Sequence, residues 1–165
     1  MATLTKLESK LAEVLGLAMA AQAATKTVAG MLDAEQKPLA ARLGKMRDEA
    51  SETQKRCTEV ASTFKGKKTA IVDKAREVRD EAAEMMDTYL AGEDDALDGF
   101  EFLTMAEAGE VGHWSIVAKL NERADVAALQ KLVDWALPIQ QRHLQEVLDG
   151  SLKLAAAEDP DELEE

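Results

Sequence analysis

The chain has 165 residues, 46% of them hydrophobic but only 4% aromatic, a balance that argues against a β-sandwich and for a core of leucine, alanine and methionine helices. A net charge of −12 excludes nucleic acid as the expected partner, because phosphate recognition needs clustered lysine and arginine. Cys57 is the only cysteine, so no intrachain disulfide is expected and a reducing, cytoplasmic location fits; no run approaches the ~18 apolar residues of a membrane span, and the N-terminus has no apolar leader, so no membrane partner is expected.

Thr5 or Thr3 caps the first predicted helix. Leu4, Leu7, Leu11, Val14, Ala18, Ala21, Thr25, Val28 and Leu32 then follow at spacings of three and four, which keeps them on one stripe. The alanines between Ala18 and Ala24 allow a neighbour to come close, and Gly30 and Asp33 mark the end. The second helix opens near Glu35 or Pro38, since proline is tolerated in a first turn. Its seam is Leu39, Leu43, Met46, Ala50, Thr53, Cys57, Val60 and Phe64, flanked by Glu49 and Glu52. Cys57 on that seam reads as a small core residue. Lys65-Gly66-Lys67-Lys68 is the only basic cluster and reads as a solvated turn rather than an anion site. The third helix, about Thr69 to Ala91, carries Ile71, Ala75, Val78, Ala82, Met85 and Tyr89 inward, with Met85 and Met86 as core filler and a mixed-sign outer face. Gly92-Glu93-Asp94-Asp95 ends it and caps the next.

The last two helices, about Ala96–Ala124 and Ala127–Ala156, hold both histidines and both tryptophans. On the fourth helix Glu107, Glu110 and His113 share a stripe with Phe100, Leu103, Trp114 and Val117. Carboxylates on an apolar stripe must be paired, protonated or bound to a cation. On the fifth, Gln140 and His143 lie among Leu129, Leu132, Ala136, Val147 and Leu154. If the two helices fold back near Ala124-Asp125, facing residue numbers sum to about 248, because both rise by ~1.5 Å per residue. That sets Gln140 and His143 beside Glu107 and Glu110, with His113 less than a turn away. Gly109 and Gly112 leave room there for a helix, a water or an ion. Pro138 removes one backbone hydrogen bond just before Gln140. Glu110-Val111-Gly112-His113 is a Glu-x-x-His pair, a spacing that presents an oxygen and an imidazole nitrogen to one metal in di-iron bundles. Domain organisation reads as one helical-bundle domain over residues 1–157 and an acidic, frayed tail over 158–165.

Five amphipathic segments with paired histidine-bearing helices at the end resemble the ferritin-like bundles of bacterial stress proteins. Glu52-Thr53-Gln54-Lys55-Arg56 is similar to a Glu-Thr-His/Gln-x-Arg run in the family's second helix. His113-Trp114-Ser115-Ile116 is similar to a His-aromatic-x-Ile run in a later one. The resemblance implies an all-α, antiparallel up-and-down bundle of four core helices plus one extra. It also implies a layer holding iron, manganese or zinc, with Glu107, Glu110, His113 and His143 as ligands and Glu52 and Glu146 as extras. The chain departs from the pattern: Gly112 stands where the family has a glutamate before the histidine, Lys55 where it has a histidine, and the first helix offers no clear glutamate. At most this is a degenerate ferroxidase-like site. Asp149-Gly150-Ser151-Leu152 resembles the peptide that docks ferritin-like cargo on nanocompartment shells, which adds such a shell as a partner to test.

Two functions follow. One is a metal-binding, stress-related bundle. The other is a non-catalytic scaffold whose polar layer sets helix register and which acts through protein contacts, a homodimer among them. General acid/base work by Glu107 or Glu110 with a histidine is a third, weaker idea, since no nucleophile or substrate pocket is evident.

Overall fold

The computed structural model describes residues 2–163, so Glu164 and Glu165 of the expected tail lie outside the described residues. Helix α1 (Lys6–Ala29) begins on a capping box. The Thr5 hydroxyl accepts the Glu8 N–H at 3.2 Å, and the Glu8 carboxylate accepts the Thr5 N–H at 2.7 Å. Helix α2 (Lys37–Ala61) follows a single 3₁₀ turn at Ala34–Gln36 and carries Pro38 in its first turn. It stops short of Phe64, which sits half-buried in the next turn. Helix α3 (Lys68–Leu90) follows. Lys67, in the basic cluster, is not simply solvated: its ammonium donates to the Thr3 carbonyl and lies 3.9 Å from Glu8.

Helix α4 (Ala96–Ala124) starts on Asp95, whose carboxylate accepts the Leu97 N–H at 2.6 Å. Helix α5 (Ala127–Ala155) runs unbroken through Pro138. Between them the chain reverses at Asp125, whose φ of 52° is left-handed. The buried Asn121 side chain fastens that turn, accepting from Val126 N at 3.1 Å and donating to Gln130 Oε1 at 3.2 Å. All regular structure among the described residues is helical. No helix among them is long and apolar enough to cross a membrane.

Contacts between helices form a closed cycle: α1 meets α2, α2 meets α5, α5 meets α4, and α4 meets α1. Their facing apolar stripes fill two cores. One gathers Leu11, Leu15, Cys57, Trp114, Leu129 and Ala136. The other gathers Val28, Leu43, Met46, Phe100, Leu103 and Val147. Trp114 and Phe100, almost fully buried, are the largest side chains in each. At Gly150 a Cβ would meet the Phe100 ring, one carbon at 2.7 Å, so only glycine lets α5 close on that ring. Next to it the Thr104 and Ser151 hydroxyls lie 3.2 Å apart. The Gly150-Ser151-Leu152 run is therefore helical, with two of its three residues in the interior and only Leu152 exposed.

Helix α3 stands outside the cycle and packs chiefly on α1. Gly16 is the contact point, where a Cβ would collide with the Ala75 carbonyl and with Val78 Cβ at 2.7 Å. Beyond Val78 the expected inward seam fails. Met85 is 52% and Tyr89 56% exposed, so these are not core filler. Past Val78 the helix lines a cleft against α1 and α4, and it closes on the bundle again at its end, where Met86 and the buried Leu90 join the second core.

Candidate functional site

The two cores are separated by a polar layer. Along α4, Leu103 belongs to one core and Trp114 to the other, with Glu107 and Glu110 between them. Along α5, Gln140 and His143 fall between Ala136 and Val147 in the same way. Glu107, Glu110 and His143 are 2%, 5% and 3% exposed. Gln140 Nε2 donates to Glu107 Oε2, a pair whose numbers sum to 247 as the fold-back predicts. His143 Nδ1 lies 3.7 Å from Glu107 Oε2, too far for a hydrogen bond.

The layer reaches α2 through Glu49, a residue that sequence reasoning left at the flank of its seam. Arg142 donates to Glu49 Oε2 and also approaches Glu146 Oε1 at 3.4 Å. His143 Nε2 is 3.7 Å from Glu49 Oε2. Glu49 Oε1, Glu146 Oε2 and His143 Nε2 are buried with no hydrogen-bond partner.

Two of the expected ligands lie elsewhere. His113 turns away from the layer, 36% of its side chain exposed, with Nδ1 3.1 Å from Glu13 Oε2 but poorly aligned for a hydrogen bond. On a helix a step of three residues rotates by about 300°, enough to carry His113 past the inner face that Glu110 occupies. Glu52 pairs with Arg56 at 2.8 Å on the outside of α2, and the Arg56 guanidinium lies 4.1 Å from the centre of the Trp135 ring. Of the six expected residues, the layer thus joins Glu107, Glu110, His143 and Glu146. Gly109 and Gly112 admit no neighbouring helix, since a Cβ at either would meet open space.

Burial sets the charge state. Desolvation pushes Glu110 up to about 8. It also raises Glu107, assisted by the nearby Glu110 and partly offset by the Gln140 hydrogen bond. Desolvation lowers His143; the Arg142 charge adds to this, while Glu49 and Glu146 oppose it. Burial, with Glu110 close by, holds the Cys57 thiol protonated far above neutral pH. Burial thus favours the protonated forms of Glu107 and Glu110 and the neutral imidazole of His143, beside the Glu49–Arg142–Glu146 contacts.

This donor set does not fit the metal that the resemblance implies. Glu107 is already engaged by Gln140. The two carboxylates that could face His143 Nε2 already share the Arg142 guanidinium. Among the described residues no three His, Cys, Asp or Glu side chains converge as a metal-binding group.

On its other side α4 lines a cleft of about 350 Å³ between α1 and α3. Ala20, Ala24, Ala82, Met86, Phe102 and Leu103 form its walls, and Glu107, Glu110 and His113 also line it. No described residue hydrogen-bonds the Glu110 carboxyl, and burial alone accounts for its raised pKa. No protein-family model matches the chain, and neither a curated protein nor a solved structure matches it.

Proposed function

We propose that this chain is a non-enzymatic helical scaffold protein with a ferritin-like arrangement, in which a partly exposed arginine at the edge of the layer takes the place of its metal ion. The single observation that carries this reading is Arg142 between Glu49 and Glu146 beside His143. A guanidinium there neutralises carboxylates from two helices and ties α2 to α5, which serves register rather than chemistry.

The arrangement follows from the pairings. Gln22 meets Gln54, Arg56 meets Trp135, Glu107 meets Gln140 and His113 meets Glu13. These pairings support an antiparallel bundle of α1, α2, α4 and α5. Helix α3 is the extra helix. It runs along α1, pairing Gly16 with Ala75, and serves as the one long crossover that ferritin-like folds carry.

Elemental analysis of the untagged protein tests the reading. The expected result is no stoichiometric iron, manganese or zinc, and a melting temperature unmoved by any of these ions. Arg142→Ala should lower stability by about 0.5–1 kcal/mol, because it leaves carboxylates without a cation that water already screens in part. The same variant should gain a Zn²⁺-dependent rise in melting temperature, which a further His143→Ala change removes. Near-stoichiometric metal in the unaltered protein that disappears in His143→Ala would overturn the scaffold reading and restore the metal-binding one.

A further inference from the structure

We propose that the cleft between α1, α3 and α4 binds a small lipophilic ammonium ion, its apolar body against Ala20, Ala24, Ala82, Met86 and Phe102 and its nitrogen on the carboxyl of Glu110. The size and lining are those of a small-molecule site. Clefts from about 300 Å³ upward hold such ligands, usually on apolar walls with a few fixed polar groups, and this one has about 350 Å³. Its polar group is unusual in being both buried, at 5% exposure, and without a hydrogen-bond partner among the described residues.

The charges around the cleft choose the sign of the ligand. Arg79 lines it, but its guanidinium is 2.8 Å from Asp80. His113 lines it and faces Glu13 at 3.1 Å. Both basic groups already have acidic partners. Glu107 accepts from Gln140 on the far side of α4. Glu110 is left as the lining carboxyl with neither a hydrogen bond nor an ion pair among the described residues. A carboxylate ligand would find the nearest basic groups already beside Asp80 and Glu13. A neutral apolar ligand would leave Glu110 as it stands, a desolvated acid. An ammonium alone restores the carboxylate: Glu110 gives its proton to solvent, and the ligand N–H donates to the resulting charge. The sulfur and aromatic faces of Met86 and Phe102 are favourable neighbours for such a cation.

The test is calorimetric titration of the full chain with octylamine, 1-octanol and octanoate, three probes of one chain length and three charges. Octylamine should bind at one site, 1-octanol at least tenfold more weakly, and octanoate weakest. Glu110→Gln should fold normally, since it removes a buried acid. It should cut octylamine affinity by roughly 10–100-fold, the worth of a hydrogen bond to a charged group, and leave 1-octanol unchanged. Ala82→Trp fills the mouth and should abolish binding of amine and alcohol alike. It leaves the net charge of −12 intact, so amine binding that survives it is non-specific surface attraction and counts against the proposal. Equal affinity for octylamine and 1-octanol, or no effect of Glu110→Gln, would reduce the cleft to an apolar hole. Sedimentation velocity supplies one more way to lose. A dimer that Met85→Glu dissociates, with no amine bound, would mean that a second copy covers this face.

Discussion

Helix α4 meets its neighbours in two different ways. Toward α5 it is sealed: Phe100 lies on Gly150, Thr104 on Ser151, Glu107 on Gln140, and Asn121 closes the turn. Toward α3 it is open, and Met105, Ala106, Gly109 and Glu110 line a cleft. The same stripe of alternating threes and fours supplies both sides. Apolar periodicity therefore tells which residues leave water, but not whether a helix or a cavity receives them.

The largest expected break in this contrast is Phe100→Ala. It should cost about 3–5 kcal/mol in urea unfolding, because the ring is closed in by α5 and the space cannot collapse. Gly150→Ala at the same contact should cost roughly 1–3 kcal/mol by overpacking, and Phe100→Leu in that background should recover part of the loss.

The acids give a comparable effect with a sign set by pH. Glu107 and Glu110 hold protons in the folded chain that they lose in the unfolded one, so stability falls as pH rises above their ordinary value of 4.5, for Glu110 up to about 8. His143 works oppositely. Its lowered pKa contributes stability above about 6.5 that is lost as pH falls below it. Glu110→Gln should therefore flatten the alkaline limb, stabilising the protein at pH 8 by on the order of 2 kcal/mol with little change at pH 5. An unaltered alkaline limb would show that Glu110 ionises normally. On the open side the effect should be smallest. Met85→Ala should shift stability by no more than about 0.5 kcal/mol, since half of that side chain already meets water.

Much of this could be read from the residues, but unevenly. The fold-back of α4 on α5 was legible because a tight turn fixes the register of consecutive helices, and Glu107 with Gln140 obeys it. The pairing of α2 with α5 was not, since no short turn joins them. Glu49 was passed over for Glu52, although the two differ by three residues and point to opposite surroundings. Arg142 was missed for the same reason. Its spacing of four from Glu146 marks a helix-surface pair, and nothing local says that Glu49 comes across to meet it. His113 misled because Glu-x-x-His spacing fixes neighbourhood along a helix but leaves open which flank each side chain takes. Exposed Met85 and Tyr89 carry the same apolar spacing as buried Ile71 and Ala75 earlier on α3.

Helix α3 has a consequence for how the molecule comes apart. Ile71 and Ala75 join one core and Leu90 the other, while Ala82, Met85 and Met86 between them form a wall of the cleft. A connection built as a helix can carry the chain along the length of the bundle without the four inner helices depending on it. Its amides past Val78 should exchange with solvent through local opening, well before those of α4 and α5. A protease cut there would leave two pieces, one bearing α1 and α2 and the other α4 and α5, still held together by the cores they share. The covalent link across the molecule is thus also the wall of the cleft, and its stretch past Val78 is the part best placed to open and let a ligand in.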